Sequence, residues 1–287
     1  MRNHISSGYA LILAVTATVI LHQPELVTGQ ARVPAMFVLG DSLVDVGNNN
    51  FIASMDRANY LPYGIDLNSS PTGRFSNGVN FVDMIAQLLG ISSPPPFADP
   101  TTKGNRILGG VNYASAAAGI LDESGQNYTL YSLGLRKIFI PGVAPLGCTP
   151  NQRASGSAPP GRCLDSVNQI LGTFNEGLRS LVDQLNQQSR GAIFVYGNTY
   201  DAVGDILNNP ASYGFGVVDK ACCRIGRNQG QITCMPMQNP CTDRSQYVFW
   251  DAFHPTQTAN IILVRRAFYG TLSDTYPVNV QQMTLLY

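Results

Sequence analysis

Gly40-Asp41-Ser42-Leu43-Val44-Asp45-Val46-Gly47-Asn48-Asn49-Asn50 follows directly on the apolar run Pro34 to Leu39. A short apolar run that stops at a glycine reads as a buried strand ending in a loop. Glycine permits a sharp turn there, and the strand would lift the Ser42 hydroxyl to a sheet edge. Strand-length apolar runs recur at Gly110 to Ala114, at Arg136 to Ile140 before Pro141-Gly142, and at Ala192 to Tyr196. Helical spacing links them. Val79, Phe81, Val82, Ile85, Ala86, Leu88 and Leu89 share one face and stop at Gly90, and Leu164 to Gln188 reads as a long amphipathic helix. Asp201 to Leu207 predicts a helix ending before Pro210, and Thr256 to Phe268 a last one, with Pro255 suited to its first turn. Strands alternating with helices predict an α/β fold with a parallel sheet covered on both faces. Such sheets carry their chemistry at the carboxyl ends of strands, where Ser42 sits.

The N-terminus pairs Met1-Arg2-Asn3-His4 with an apolar run from Tyr9 to Leu21 and small residues at Gly29-Gln30-Ala31. That pattern predicts a secretory signal peptide over residues 1–31. A membrane-spanning helix needs about 20 apolar residues, so the run is short for an anchor. No linker or repeat divides residues 32–287, which read as one domain. Lys plus Arg number 18 and Asp plus Glu number 18, so no basic footprint for nucleic acid is expected. All six cysteines (Cys148, Cys163, Cys222, Cys223, Cys234, Cys241) lie beyond the leader, an even number that suits an oxidising compartment. Cys148 is expected to join Cys163 across a Gly/Pro/Ser-rich loop, while Cys222 and Cys223 pair with Cys234 and Cys241. A four-cysteine zinc site is the weaker reading, because the chain has no C-x₂-C knuckle. Asn68-Ser69-Ser70 and Asn127-Tyr128-Thr129 are N-glycosylation sequons that fit an extracellular protein.

Beyond the leader the chain keeps one histidine, His254, in Asp251-Ala252-Phe253-His254. Any imidazole-dependent chemistry of the mature chain must run through it, and one imidazole cannot build a multi-histidine metal site. A serine needs an adjacent base to become nucleophilic, and the base needs an orienting group. Ser42, His254 and Asp251 are the candidates for these three roles. The plainer alternative makes Ser42 a turn residue and Asp251 an Asx-turn cap before the last helix. The elbow G-x-S-x-G does not occur in the chain, which argues against an α/β-hydrolase.

Several long motifs stand in order: GDSLVDVGNNN, TGRFSNGVNFVDMIAQLLG, GVNYASAAAGILDESG, IPGVAPLGCTP and YVFWDAFHPTQTAN. Together they closely resemble the plant GDSL esterase/lipases, a branch of the SGNH hydrolase superfamily, over nearly all of the mature chain. The resemblance implies a flavodoxin-like three-layer α/β/α domain. It also implies a secreted, extracellular (cell wall or apoplast) enzyme that hydrolyses lipid or cell-wall esters without metal or cofactor. The family nucleophile falls on Ser42 and the Asp-x-x-His pair on Asp251 and His254. The oxyanion donors fall on the Ser42 N–H and on the stretch Ala114 to Gly119, with Gly119 the candidate. Many relatives have glycines where this chain has Ala116 and Ala117.

One family element is missing from the sequence. The oxyanion Asn of a Gly-x-Asn-Asp motif has no counterpart: Gly110-Val111-Asn112 belongs to the preceding block, and Gly197-Asn198-Thr199 lies on a later strand. Ser124-Gly125-Gln126-Asn127 runs almost at once into Leu130 to Lys137, which resembles the far side of that region. A βαβ unit takes about 30 residues, so an internal truncation of several tens of residues near 127–131 is expected, removing an interior strand and its flanking helices. The expected function is therefore a serine esterase, with a catalytically impaired truncated isoform as the alternative. A thiol redox protein would need a C-x-x-C motif, which the chain lacks.

Overall fold

A computed structural model describes residues 31–119, 134–157 and 161–286. The expected leader (1–31) therefore lies outside the described residues except for Ala31, and so does the expected truncation point with Asn127. Among the described residues there are five strands and six α-helices: α1 Phe81–Leu89, β1 Lys137–Pro141, α2 Pro150–Ala154, α3 Asp165–Gln188, β2 Ile193–Gly197, α4 Thr199–Asn208, β3 Val217–Ala221, β4 Tyr247–Phe249, α5 Gln257–Tyr269, β5 Thr275–Tyr276 and α6 Val280–Leu285.

The layering follows from period-two alternation in β1 and β2, which pair in parallel from Lys137↔Ile193 to Pro141↔Gly197. Phe139, Ile193 and Val195 face a core shared with α1, α5 and α6, built on Ile85, Leu89, Val264, Phe268, Val280 and Met283. Ile138, Ile140, Phe194 and Tyr196 face the other way, against Leu178, Val182 and Leu185 of α3. Helices thus cover both faces of a parallel pair, as the alternating pattern predicts.

The sheet is nevertheless divided. Among the described residues β1–β2–β5 form one sheet and β3–β4 a second. A third ladder joins the run before Ser42 to the GVNYAS stretch: the N–H groups of Met36 and Val38 donate to Gly109 and Val111, and those of Tyr113 and Ser115 donate to Val38 and Gly40. Only one formal bridge, Val38↔Asn112, is registered there. Gly110 is required at this crossing, since a Cβ would lie 1.9 Å from the Met36 carbonyl oxygen. α3 is also incompletely covered. Only Asn175 and Val182 are buried along its 24 residues, while Ile170 is 70 % and Phe174 42 % exposed. Apolar residues exposed along one helix face mark a surface suited to being covered.

Local sequence sets the helix ends. Asn80 caps α1 by accepting the N–H groups of Val82 and Asp83, while Asp83 accepts the Asn80 N–H, and left-handed Gly90 closes the helix. For α5 the structure corrects the expectation. Thr256 is the N-cap, its hydroxyl accepting the Ala259 N–H, so Pro255 precedes the helix rather than opening its first turn.

The disulfides are Cys148–Cys163, Cys222–Cys241 and Cys223–Cys234. Every cysteine is thereby bonded, which removes the zinc reading. The last two bridges sit in a core with Ala58, Tyr63, Phe75, Ala116 and Trp250. No helix of the described residues is long and apolar enough to cross a membrane, and no cluster of three potential metal ligands occurs among them.

Candidate active site

Ser42 sits just past the strand ladder, inside a single helical turn. The Asp41 carbonyl accepts the N–H groups of Val44 and Asp45, and its carboxylate accepts the Leu43 N–H at 2.9 Å. Gly40 lets the chain turn this tightly, because a Cβ there would lie 2.5 Å from a Val44 methyl. The second half of the motif is a buried polar brace. Asp45 accepts the N–H groups of Gly47 and Asn48 at 2.7 Å and of Ala116 at 3.1 Å. Asn48 donates to the carbonyls of Asn112 and Ala114 at 2.9 and 2.8 Å, and Asn112 donates to Val44 at 2.8 Å. Asn49 accepts from the Ser115 hydroxyl at 2.7 Å. Burial pushes the Asp45 carboxyl up, and the N–H groups turned on it offset only part of that rise.

His254 arrives from the far end of the chain. Its Nε2 lies 2.8 Å from Ser42 Oγ, and its Nδ1 lies 2.8 and 2.9 Å from the two Asp251 oxygens. With Nδ1–H donating to the carboxylate, Nε2 keeps a lone pair and accepts from the serine hydroxyl. Asp251 Oδ1 also accepts the N–H groups of Phe253 and His254, each at 2.9 Å. Asp251 is therefore both an Asx-turn cap and the partner of the imidazole. The two readings of the sequence describe one residue.

The carboxylate is fully buried and has a further donor, the Tyr63 hydroxyl at 2.7 Å from Oδ2. Burial pushes the Asp251 carboxyl up, but the imidazole charge and hydrogen bond, the Phe253 N–H and the Tyr63 hydroxyl outweigh it. The carboxyl is held below its ordinary value, so Asp251 is ionised at neutral pH. Burial, then the adjacent Asp251 charge, push the Tyr63 phenol well above its ordinary value, and it stays a neutral donor. The Phe75 ring lies against the imidazole with centroids 4.9 Å apart.

A serine, an imidazole and an ionised carboxylate in hydrogen-bonded line can deliver a serine alkoxide equivalent to an acyl carbon. Comparison with known proteins agrees with this chemistry. The sequence pattern described as "GDSL-like Lipase/Acylhydrolase" matches residues 36–132 and 120–267. The chain belongs to this family.

Among its relatives, GDSL esterase/lipase At1g71250 of Arabidopsis thaliana is 62 % identical over 368 residues, covering 100 % of this chain and 98 % of the relative. At5g08460 from the same plant is 43 % identical, covering 89 % of each chain, and At1g71691 is 38 % identical, covering 91 % of this chain and 88 % of the relative. GDSL membership brings the three-layer α/β/α fold, whose layering is visible around β1 and β2. The structure brings together Ser42, Asp251 and His254 of the expected site residues. Gly119 is not brought into the site by any described contact. It is an exposed residue at the end of a described segment. The Ala116 N–H is engaged by Asp45 and Asn49, and Ala117 takes a left-handed φ of 66°, a conformation that favours glycine. Tyr63 is the functional neighbour that sequence reading missed, since no spacing rule connects it to a residue 188 positions away.

Proposed function

We propose that the chain is a secreted serine esterase that hydrolyses carboxylic esters through an acyl-enzyme. Ser42 Oγ attacks the ester carbonyl while His254 Nε2 takes its proton. The tetrahedral intermediate collapses, and His254 returns that proton to the departing alcohol. Water then attacks the acyl-Ser42 ester with His254 again as base, releasing the acid and restoring the serine. Asp251 stays ionised throughout, holding the imidazole tautomer and stabilising its protonated form. The Ser42 N–H, which is not among the N–H groups that close the Asp41–Asp45 turn, is the backbone donor to the oxyanion. Lipid or cell-wall esters are the substrate class, reached outside the cell after removal of residues 1–31, with glycans on Asn68 and Asn127. Asn68 lies on an exposed turn, as glycosylation requires.

The observation that carries this reading is the line from half-buried Ser42 Oγ through buried His254 to buried Asp251, with each link at 2.8–2.9 Å. Hydrolysis of a short-chain nitrophenyl ester by the purified protein, abolished in Ser42→Ala, is the expected result. Equal rates for the two proteins would remove Ser42 from the mechanism.

A second reading concerns how well this relay works. The alignment with the 62 % identical relative runs over 368 residues, whereas this chain has 287. The family pattern matches in two pieces that meet at 120–132. We infer that an internal block of several tens of residues is absent there, and with it the oxyanion Asn. Among the described residues the side-chain amides of Asn48, Asn49 and Asn112 donate elsewhere, so none of the three replaces it. The relay is then intact while oxyanion stabilisation is reduced.

A further inference from the structure

We propose that Tyr63 is a positioning residue of the relay, whose hydroxyl fixes the Asp251 carboxylate and limits how strongly it draws a proton onto His254. The inference rests on the catalytic reading of Ser42, His254 and Asp251 given above.

Tyr63 Oη lies 2.7 Å from Asp251 Oδ2, and both residues are fully buried. The other carboxylate oxygen is held by two backbone N–H groups, so the hydroxyl is the one side chain besides the imidazole bonded to Asp251 among the described residues. The ring has little freedom. It meets Tyr60, Phe75 and Trp250 edge-on at centroid distances of 5.4, 5.7 and 6.4 Å. Tyr60 is itself tied down by its hydroxyl bond to the Cys234 carbonyl at 2.8 Å, next to the Cys223–Cys234 bridge. A neutral donor on a carboxylate withdraws part of the charge that would otherwise stabilise a nearby cation. The titratable groups facing Asp251 are His254, Tyr63 and Tyr60, with no Lys or Arg among the side chains that act on it. Beside the imidazole, this hydroxyl is therefore the one side-chain donor that moderates the carboxylate among the described residues.

Tyr63→Phe keeps the ring and its packing and removes only the donor. The carboxylate then acts with more of its charge on His254, and the imidazolium becomes more stable. In the full chain carrying H4Q and H22Q, His254 is the only imidazole, and its NMR titration is read without overlap. The midpoint is expected to rise by about one pH unit in Tyr63→Phe, a tenfold change in proton affinity. The acid limb of ester hydrolysis should move with it, and kcat should fall more than KM rises. In an Asp251→Asn background the same substitution should leave the titration unmoved. Coincident titration curves for wild type and Tyr63→Phe would overturn the proposal. Should Tyr63→Phe not melt cooperatively, the wild type answers instead. A protected low-field hydroxyl proton, absent in Asp251→Asn, supports the bond, and its absence from the wild type overturns the proposal. Ester hydrolysis that survives Ser42→Ala would sink the catalytic reading alone, because the titration does not depend on turnover.

Discussion

Arg74 clamps Asp83 through two parallel bonds, Nε to Oδ2 and Nη2 to Oδ1, each 2.7 Å, with both side chains largely buried. Its third nitrogen reaches the Val46 carbonyl at 3.3 Å, so the pair ties the first turn of α1 to the loop behind Ser42. Burial pushes the Asp83 carboxyl up, but the guanidinium, the Asn80 N–H and the Ser93 hydroxyl hold it below the ordinary range. A carboxyl depressed in the folded state contributes stability that is complete above its unfolded value of about 4. That contribution is lost as pH falls through the lower folded value. Arg74→Ala should lower stability by about 3 kcal/mol at pH 7, since it strands a buried charge. Denaturant melts should show the gap between variant and wild type narrowing in acid.

Asp45 is a second buried carboxylate, used in a different way. Its partners are the N–H groups of Gly47, Asn48 and Ala116, and it joins the nucleophile loop to the stretch that follows GVNYAS. Asp45→Ala leaves the Gly47 and Asn48 N–H groups unpaired, while Asn49 still accepts from Ala116, and should lower stability by about 2–3 kcal/mol. It should also slow ester hydrolysis by about tenfold or more, by loosening the backbone beside Ser42. A stable variant with unchanged kcat would show that the brace is independent of the site.

The paired bridges beneath the relay should matter for alignment as well as for stability. The N–H groups of Cys222 and Cys223 donate to the carbonyls of Phe249 and Trp250 at 3.1 and 2.9 Å, one step before Asp251. Replacing Cys223 and Cys234 by alanine opens a loop of sequence separation 11 and should cost about 2–4 kcal/mol. Activity at a temperature where the variant remains folded should fall too, measured against the double variant of Cys148 and Cys163.

Turnover offers a direct measure of the oxyanion donor proposed to be absent. One such donor is worth about 10²–10³ in kcat. Compared side by side with the Arabidopsis relative At1g71250 on the same nitrophenyl ester, this chain should turn over slower by about that factor. Labelling by a fluorophosphonate should persist, because it needs mainly the nucleophile and base. Matching kcat values would mean that another group stabilises the oxyanion.

The sequence disclosed some of this structure better than the rest, for physical reasons. α1 and β2 were legible because their apolar spacing coincides with the faces they bury, and Asn80 and Gly90 mark the ends of α1. The relay was legible because His254 is the one histidine after residue 31 and carries Asp251 three residues before it. β3 and β4 were not. Val217–Ala221 has only two apolar residues before its charged pair and runs straight into Cys222-Cys223, and Tyr247–Phe249 is three residues long. Tyr63 escaped notice because a hydrogen bond between distant segments leaves no period in the sequence. Pro255 misled by one position, since Thr256 supplies the stronger cap.

The division of the sheet has a consequence for anyone altering this protein. Ser42 rides on the Met36–Gly40 ladder, while Asp251 and His254 follow β4 and rest on Tyr63 and two bridges. The β1–β2–β5 sheet with its half-covered helix α3 contributes none of the residues in the relay. Solubility and alignment are thus separable variables. A library confined to the exposed positions Ile170, Phe174 and Leu181 could be selected for soluble expression alone, leaving the catalytic geometry as a fixed background.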